Sequence, residues 1–393
     1  MKSPRLGRTV VTLGIVSLLT DISSEGIYPL IPLFLTEVLR TNMAAVGLIE
    51  GIANSTASIL RVFSGWFSDV LGNRKWLTVS GYSISALSKP LLSLSNTWQS
   101  VFALRFADRL GKGIRTAPRD ALIADACSPD HRGVSFGFHR AMDTLGAVAG
   151  PLLAFWLLAV LGGNYRAIFV LSAIPAAAAL LVLIAFIREP TCNRSRDAKR
   201  PSLTLKDASI QFKLFLVATA VFSIGNSSDA FLILRARNLG MAASGIVLAF
   251  ALFNAVEAAL SMWAGALSDR IGRRNVIVAG YLVYACVYAG FGLTRSTSAV
   301  WALFATYGVY NALTQGVQRA FAADLACADA MGTGMGAYHT VTGLALLPAS
   351  LIAGYLWQSI SPAAPFYFGA TMAGFSAILL LILLRRGATC TAT

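Results

Sequence analysis

Asp21 and Glu25 stand four residues apart inside one long apolar run, and Arg105, Asp108, Arg109, Lys112, Arg115 and Arg119 recur at spacings of three and four inside another. On a helix such spacings align side chains along one face. The first pair could carry protons. Withdrawal from water penalises a carboxylate's charged form, which brings protonation within reach of neutral pH. The second set is a mostly cationic stripe that could hold an anion, because arginine presents a planar fork of donors to carboxylate or phosphate. Further ionisable residues interrupt apolar stretches: Arg61, Lys89, Arg140 and Arg319, with Glu50, Asp120, Asp143, Asp229 and Glu257. A charge in hydrocarbon costs at least about 2.5–3.5 kcal/mol, so such residues must face a bundle interior and pair there or meet water. Mutual pairing without any other role is the competing reading for each of them.

The elements that must position these residues are membrane-spanning helices. The chain has 393 residues, 56% hydrophobic and only 13% charged, where a soluble domain approaches a quarter charged. Apolar runs of about 20 residues recur along it, enough to cross a bilayer. Twelve candidate helices cover roughly 9–39, 43–68, 76–95, 98–125, 133–161, 165–187, 212–237, 243–268, 274–293, 298–326, 333–357 and 363–384. The polar stretch between the sixth and seventh divides two halves, 1–187 and 212–393, with a linker at 188–211. The first apolar run lacks a small-residue cleavage site and reads as an uncleaved span.

Net charge is +14, and nucleic acid is not the partner it implies. With the N-terminus placed in the cytoplasm, eighteen loop and tail Lys and Arg fall inside and five outside (Arg40, Arg166, Arg235, Arg237 and Arg295). That asymmetry orients a multi-pass protein with both termini cytoplasmic. The five cysteines are scattered and the three histidines (His131, His139, His339) stand apart, so no metal site, cofactor site or nucleophile–base constellation is supported. The loops are too short for a receptor's ligand-binding domain.

The halves are related. Gly65-Trp-Phe-Ser-Asp69-Val-Leu-Gly72-Asn-Arg74-Lys75 is matched by Gly265-Ala-Leu-Ser-Asp269-Arg270-Ile-Gly272-Arg273-Arg274. Ser23-Ser24-Glu25 pairs with Ser227-Ser228-Asp229, Asn54 with Asn254, Arg119 with Arg319, His139 with His339, and Asp125 with Asp324. A unit used twice in a polytopic membrane chain points to a transporter. The acids and glycines of the twin turns suggest a latch, since a topology signal needs only positive charge. There an aspartate could bond a neighbouring helix start and an arginine.

The pattern G-x-x-S-D-x-x-G-x-R-[KR] resembles the repeated cytoplasmic loop of the major facilitator superfamily, although Val70 and Asn73 stand where basic residues are usual. Arg109-Leu-Gly-Lys-Gly113-Ile-Arg-Thr-Ala117 resembles its fourth-helix motif. Gly146-x-x-x-Gly150-Pro151 resembles the fifth-helix motif of its antiporters, with Ala154 replacing a further glycine. The chain looks most like a prokaryotic group with an acidic first helix and an Arg-rich fourth.

That resemblance implies an all-α fold of twelve transmembrane helices in two pseudo-symmetric six-helix bundles, working by alternating access as a monomer in a bacterial or archaeal inner membrane. Asp21, Glu25, Arg109 and Asp229 are then the expected proton-coupling residues. Lys89, Arg105, Asp108, Lys112, Arg115, Arg119 and Asp143 are expected at the substrate cavity. Gly65, Asp69, Arg74, Gly265, Asp269 and Arg273 are expected at a cytoplasmic gate. The expected partners are a small organic molecule, protons and the bilayer. Proton-coupled export is the first reading; transport or uptake of an organic anion on the fourth-helix arginines is the alternative.

Overall fold

The computed structural model describes residues 7–71, 73–127, 131–187, 209–326 and 331–383, with the backbone alone at 62, 65–67, 69–71, 132–133, 331–333 and 383. Among the described residues there is no strand. Twelve helices run in order: α1 (Arg8–Val38), α2 (Met43–Leu71), α3 (Arg74–Leu91), α4 (Trp98–Asp125), α5 (Arg132–Val160), α6 (Tyr165–Phe186), α7 (Ile210–Asn238), α8 (Ala243–Ile271), α9 (Arg273–Leu293), α10 (Thr297–Leu325), α11 (Met331–Ser359) and α12 (Ala364–Leu383). Their ends agree with the sequence reading to within a few residues. Nine are long and apolar enough to cross a membrane; α3, α4 and α10 fall outside that set. In α4 the cause is the charged stripe itself.

Local chemistry sets several starts. Asn73 accepts from the Trp76 N–H at 3.1 Å, Asn164 from Ala167 at 3.2 Å and Ser209 from Phe212 at 3.2 Å, each satisfying an amide that a first helical turn leaves over. Two helices break. In α1 the regular helix ends at Ile27, resumes over Leu30–Leu33 and closes in a π-helical turn, Phe34–Val38. Pro29 and Pro32 remove N–H groups and crowd the preceding turn. In α7 the helix stops at Gly225 and restarts at Ala230. There Ser228 Oγ accepts from the Ala230 amide at 3.3 Å, the local competition that draws serine out of helix interiors.

The described chain forms two compact units, Met1–Arg40 with Ile59–Arg200, and Thr41–Ser58 with Pro201–Thr393. α2 therefore contributes its first half to the second unit. The predicted linker lies outside the described residues as far as 208, and Arg385 and Arg386 also lie outside them.

In unit 1 the apolar core joins Val10, Leu13 and Val16 of α1, Val79 and Tyr82 of α3, Leu122 and Ile123 of α4, and Ala179 and Leu183 of α6. Glycines bring the polar helices into backbone contact around it. A Cβ at Gly150 would stand 2.8 Å from Gly26 N and Ile22 O, and one at Gly146 would stand 2.7 Å from Leu18 O. α5 thus presses on α1 through its Gly-x-x-x-Gly face. Gly81 of α3 and Gly111 of α4 do the same: a Cβ at Gly81 would lie 2.7 Å from Gly111 O.

In unit 2 the core is aromatic. Tyr281, Tyr284 and Tyr288 of α9 are fully buried, with Phe222 stacked on Tyr281 at 3.9 Å and Tyr284 on Tyr288 at 4.0 Å. The first half of α2 packs on α11, where Ser55 Oγ donates to Gly343 O at 2.8 Å. A Cβ at Gly51 would stand 3.1 Å from Leu347 O.

Gly150→Ala should lower the thermal midpoint of the purified protein, because its Cβ meets backbone on two sides; overpacking of this kind costs about 1–3 kcal/mol. Gly137, with nothing within 4 Å of a Cβ, is the control on the same helix. Equal midpoints for Gly150→Ala and Gly137→Ala would show that the α1–α5 seam gives way.

Candidate functional site

Unit 1 gathers most of the ionisable residues read from the sequence. On α4, Asp108 is the hub. Ser85 Oγ donates to its Oδ1 at 2.7 Å, while Arg105 Nη1 and Arg109 Nε lie 3.7 and 4.0 Å from its Oδ2. Both guanidinium groups rest over the Tyr28 ring, at 5.5 and 5.9 Å from its centroid. Tyr28 sits at the break in α1, so the prolines that end that helix also place the aromatic platform. Lys89 of α3 is 2% exposed and donates from Nζ to Ser23 Oγ at 3.1 Å; Ser23 Oγ in turn donates to Ser172 O at 2.7 Å. Lys89, Arg105, Asp108 and Arg109 line one recess with Ser24 and Ser88.

The remaining α4 charges lie elsewhere. Arg115 is 4% exposed, stacked over Tyr82 at 4.2 Å, with no hydrogen-bond partner at Nε or Nη1. Arg119 is held by Asp120, donating from Nε and Nη2 at 3.0 and 2.8 Å. Neither lines the recess.

A second cluster crosses the α1–α5 seam. Asp21 and Asp143 meet carboxyl to carboxyl, with Lys112 and Glu25 within electrostatic reach of Asp21. Ser17 Oγ donates to Asp143 Oδ1 at 2.7 Å, and Arg140 Nη1 stands 3.1 Å from Oδ2. The backbone approach at Gly146 lets these two short side chains touch. His139, 5% exposed, is buried beside Arg119, Asp143 and Asp120.

Asp229 belongs to unit 2, at the restart of α7. Tyr307 OH donates to its Oδ1 at 2.7 Å. In the same unit Ser228 Oγ and Asn54 Nδ2 donate to Glu50 Oε2 at 3.2 and 3.3 Å, and Asn311 Nδ2 to Glu257 Oε2 at 3.4 Å. The expected pairing of Glu25 with Asp229 joins residues of two different units.

The twin turns place their basic residues alike. Arg74 Nη1 meets Asp125 Oδ2 at 2.7 Å, and Arg273 Nη1 meets Asp324 Oδ2 at 2.7 Å. The next residue in each turn caps a helix end. Lys75 Nζ donates to Ile184 O of α6 at 3.0 Å; Arg274 donates to Leu380 O of α12 at 2.9 Å and to Leu381 O. Cations suit such C-terminal carbonyls. Asp269 is exposed and 3.8 Å from Arg273. Gly265 has nothing within 4 Å of a Cβ. The side-chain surroundings of Asp69, and Gly65, lie outside what is described.

The opposite ends carry a matching device. Arg166 donates to Ser93 O at 2.6 Å and Asn96 Oδ1 at 2.9 Å, just after α3. Arg235 donates to Phe291 O at 2.9 Å and Gly292 O at 3.3 Å, closing α9. These two arginines serve as helix caps as well as loop charges.

Sequence reasoning passed over Ser17, Tyr28, Tyr82, Ser85 and Tyr307, which orient the charges it named. The tyrosines of α9 fall on one face, at 281, 284 and 288, a signal that helical spacing offered.

A family model described as Major Facilitator Superfamily matches residues 13–350 and again 214–389. An "Uncharacterized MFS-type transporter" of Methanocaldococcus jannaschii is 38% identical over 96% of this chain and 95% of its own length. "Multidrug resistance protein MdtH" of Enterobacter sp. is 25% identical over 84% of this chain and 81% of its own. A crystal structure of a POT family transporter in complex with 5-aminolevulinic acid superposes with a TM-score of 0.81 at 14% identity, covering 96% of both chains.

The Arg74–Asp125 pair is the less exposed of the two, at 10% and 26% against 27% and 43% for Arg273–Asp324. Asp125→Asn should therefore destabilise the protein by about 1–3 kcal/mol, as for a lost hydrogen bond to a charged group. Asp324→Asn should cost less than about 1 kcal/mol. Denaturation midpoints of both variants check the order, and a larger loss from Asp324→Asn would reverse the ranking.

Proposed function

This chain belongs to the major facilitator superfamily and is a multi-pass membrane transporter, and on that premise we propose that it moves a small organic molecule by alternating access, coupled to protons and in the direction of export. The observation that carries proton coupling is the meeting of Asp21 and Asp143 across the α1–α5 seam. Two carboxyl groups in contact disfavour double ionisation, so such a pair is suited to take up one proton and to give it up when the surroundings change. Lys112, Arg140 and Ser17 supply the charges and the hydrogen bond that decide which form is preferred. Glu25 stands next along the same face of α1, the natural neighbour for onward transfer.

Export is supported by the likeness to a protein named for multidrug resistance and by the Gly146-x-x-x-Gly150-Pro151 sequence. That glycine face brings Asp143 to Asp21, so the antiporter-like motif and the acid pair belong to one piece of structure. The inside-rich distribution of Lys and Arg supports cytoplasmic termini in a prokaryotic cytoplasmic membrane. The paired twin-turn contacts support a mechanical role: each fixes three helices of its own unit, so that a unit can move as one body during rocking.

Asp143→Asn removes the shared proton while keeping size and hydrogen-bonding capacity. In proteoliposomes it should abolish transport driven by a pH gradient and spare substrate exchange at equal pH. Undiminished gradient-driven transport in Asp143→Asn and in Asp21→Asn would remove the pair from proton coupling.

A further inference from the structure

The recess on α1, α3 and α4 is narrow and open to solvent on one side. Three cations reach it, Lys89, Arg105 and Arg109, against one acid, Asp108. Lys89 and Arg105 are 2% and 3% exposed, and Arg109 Nε has no hydrogen-bond partner. Asp108 is divided among two guanidinium groups and Ser85, and among the residues that line the recess the cations outnumber the acids.

The matching helices of unit 2 are built without that surplus. The contacts Arg74–Asp125 and Arg273–Asp324 set a register of 199 residues between α3–α4 and α9–α10. Gly81 against the Arg115 side chain and Gly280 against the Thr314 side chain set the same one. In that register Lys89 corresponds to Tyr288, Arg105 to Phe304, Asp108 to Tyr307 and Arg109 to Gly308. Unit 2 builds the same helix arrangement with aromatic side chains and glycine at the places where unit 1 buries charge. A buried cation at a position that the matching unit fills with an aromatic side chain points to a ligand.

We infer that the recess is a subsite for one anionic group of the transported molecule, a carboxylate or a phosphate, held by Lys89, Arg105 and Arg109. This rests on the transporter reading above and adds the substrate class to it. The recess is far smaller than the pockets of roughly 300–1,000 Å³ that take whole drug-sized molecules, so it has room only for a small charged head and the body of the molecule would stay outside. Arg109 Nε and the Lys89 ammonium supply donors, and Ser24 and Ser88 line the same wall. Asp108 and the Tyr28 ring hold the two arginines in place, which leaves their forks pre-organised for an oxyanion.

The test is calorimetry on the full chain in lipid nanodiscs with four probes of similar size: benzoate, phenyl phosphate, benzylamine and benzyl alcohol. At least one of the two anions should bind, and the stronger of them identifies the head group. Lys89→Met and Arg109→Gln should each weaken that binding at least about tenfold, with Arg109→Lys recovering part of it. Should Lys89→Met fail to fold, the Arg109→Gln and Arg109→Lys pair still decides. Absence of binding by either anion, binding of benzylamine in their place, or an anion affinity unchanged in folded Arg109→Gln overturns the subsite. A pH-sensitive dye inside proteoliposomes separates this from the transporter reading. Anion binding without proton movement keeps the subsite and removes the coupling, whereas proton movement driven by benzylamine without anion binding keeps the coupling and removes the subsite.

Discussion

A charge carried to membrane depth must find a counter-charge, a hydrogen bond or water, and unit 1 is ordered by that demand. α4 carries more charge than hydrocarbon tolerates, so its stripe can face only other helices. α3 answers with Ser85 and α1 with the Tyr28 ring, while Lys89 of α3 is held by Ser23 of α1. Each contact fixes a helix face, and together they leave little freedom in how α1, α3 and α4 rotate. The apolar core of this unit fills the remainder. The buried ions cost stability as isolated groups, but the network of partners makes alternative packings costlier still.

Short polar side chains can meet only when backbones come close, and glycine supplies that closeness. Gly146 and Gly150 bring α5 onto α1, which puts Asp143 within reach of Asp21 and Ser17. Gly81 and Gly111 bring α3 onto α4, which puts Ser85 at Asp108. A methyl group at any of these four would separate helices and polar partners alike. The glycine pattern and the charge pattern are therefore one requirement expressed twice.

Helix count, helix limits and family were legible in the sequence because apolar length and the repeated turn are properties of local strings. So was the face of α4, since spacings of three and four are preserved on folding. Which partner each charge takes was not legible. The six charges of the α4 stripe looked alike, yet Arg119 turns to Asp120, Arg115 to Tyr82, and only Arg105, Asp108 and Arg109 reach the recess. Partner choice depends on residues far away in the chain, and a tyrosine beneath a guanidinium leaves no spacing signature. Register was legible to within one residue. Equal spacing of 200 paired Arg119 with Arg319, whereas the contacts at Gly81 and Gly280 set 199 and place Arg119 opposite Gln318.

The two units differ in an instructive way. At their helix ends the repeat is nearly intact: an arginine meets the acid closing α4 or α10, and the next basic residue caps α6 or α12. In the interior it has diverged. Positions that hold Lys89, Arg105 and Asp108 in unit 1 hold Tyr288, Phe304 and Tyr307 in unit 2, and the acid there, Asp229, takes its hydrogen bond from Tyr307. Contacts at the ends hold three helices together and serve any such unit whatever passes through the protein. The frame is thus kept at the helix ends of both copies while the interior has diverged, with buried cations in unit 1 at positions where unit 2 carries aromatic side chains.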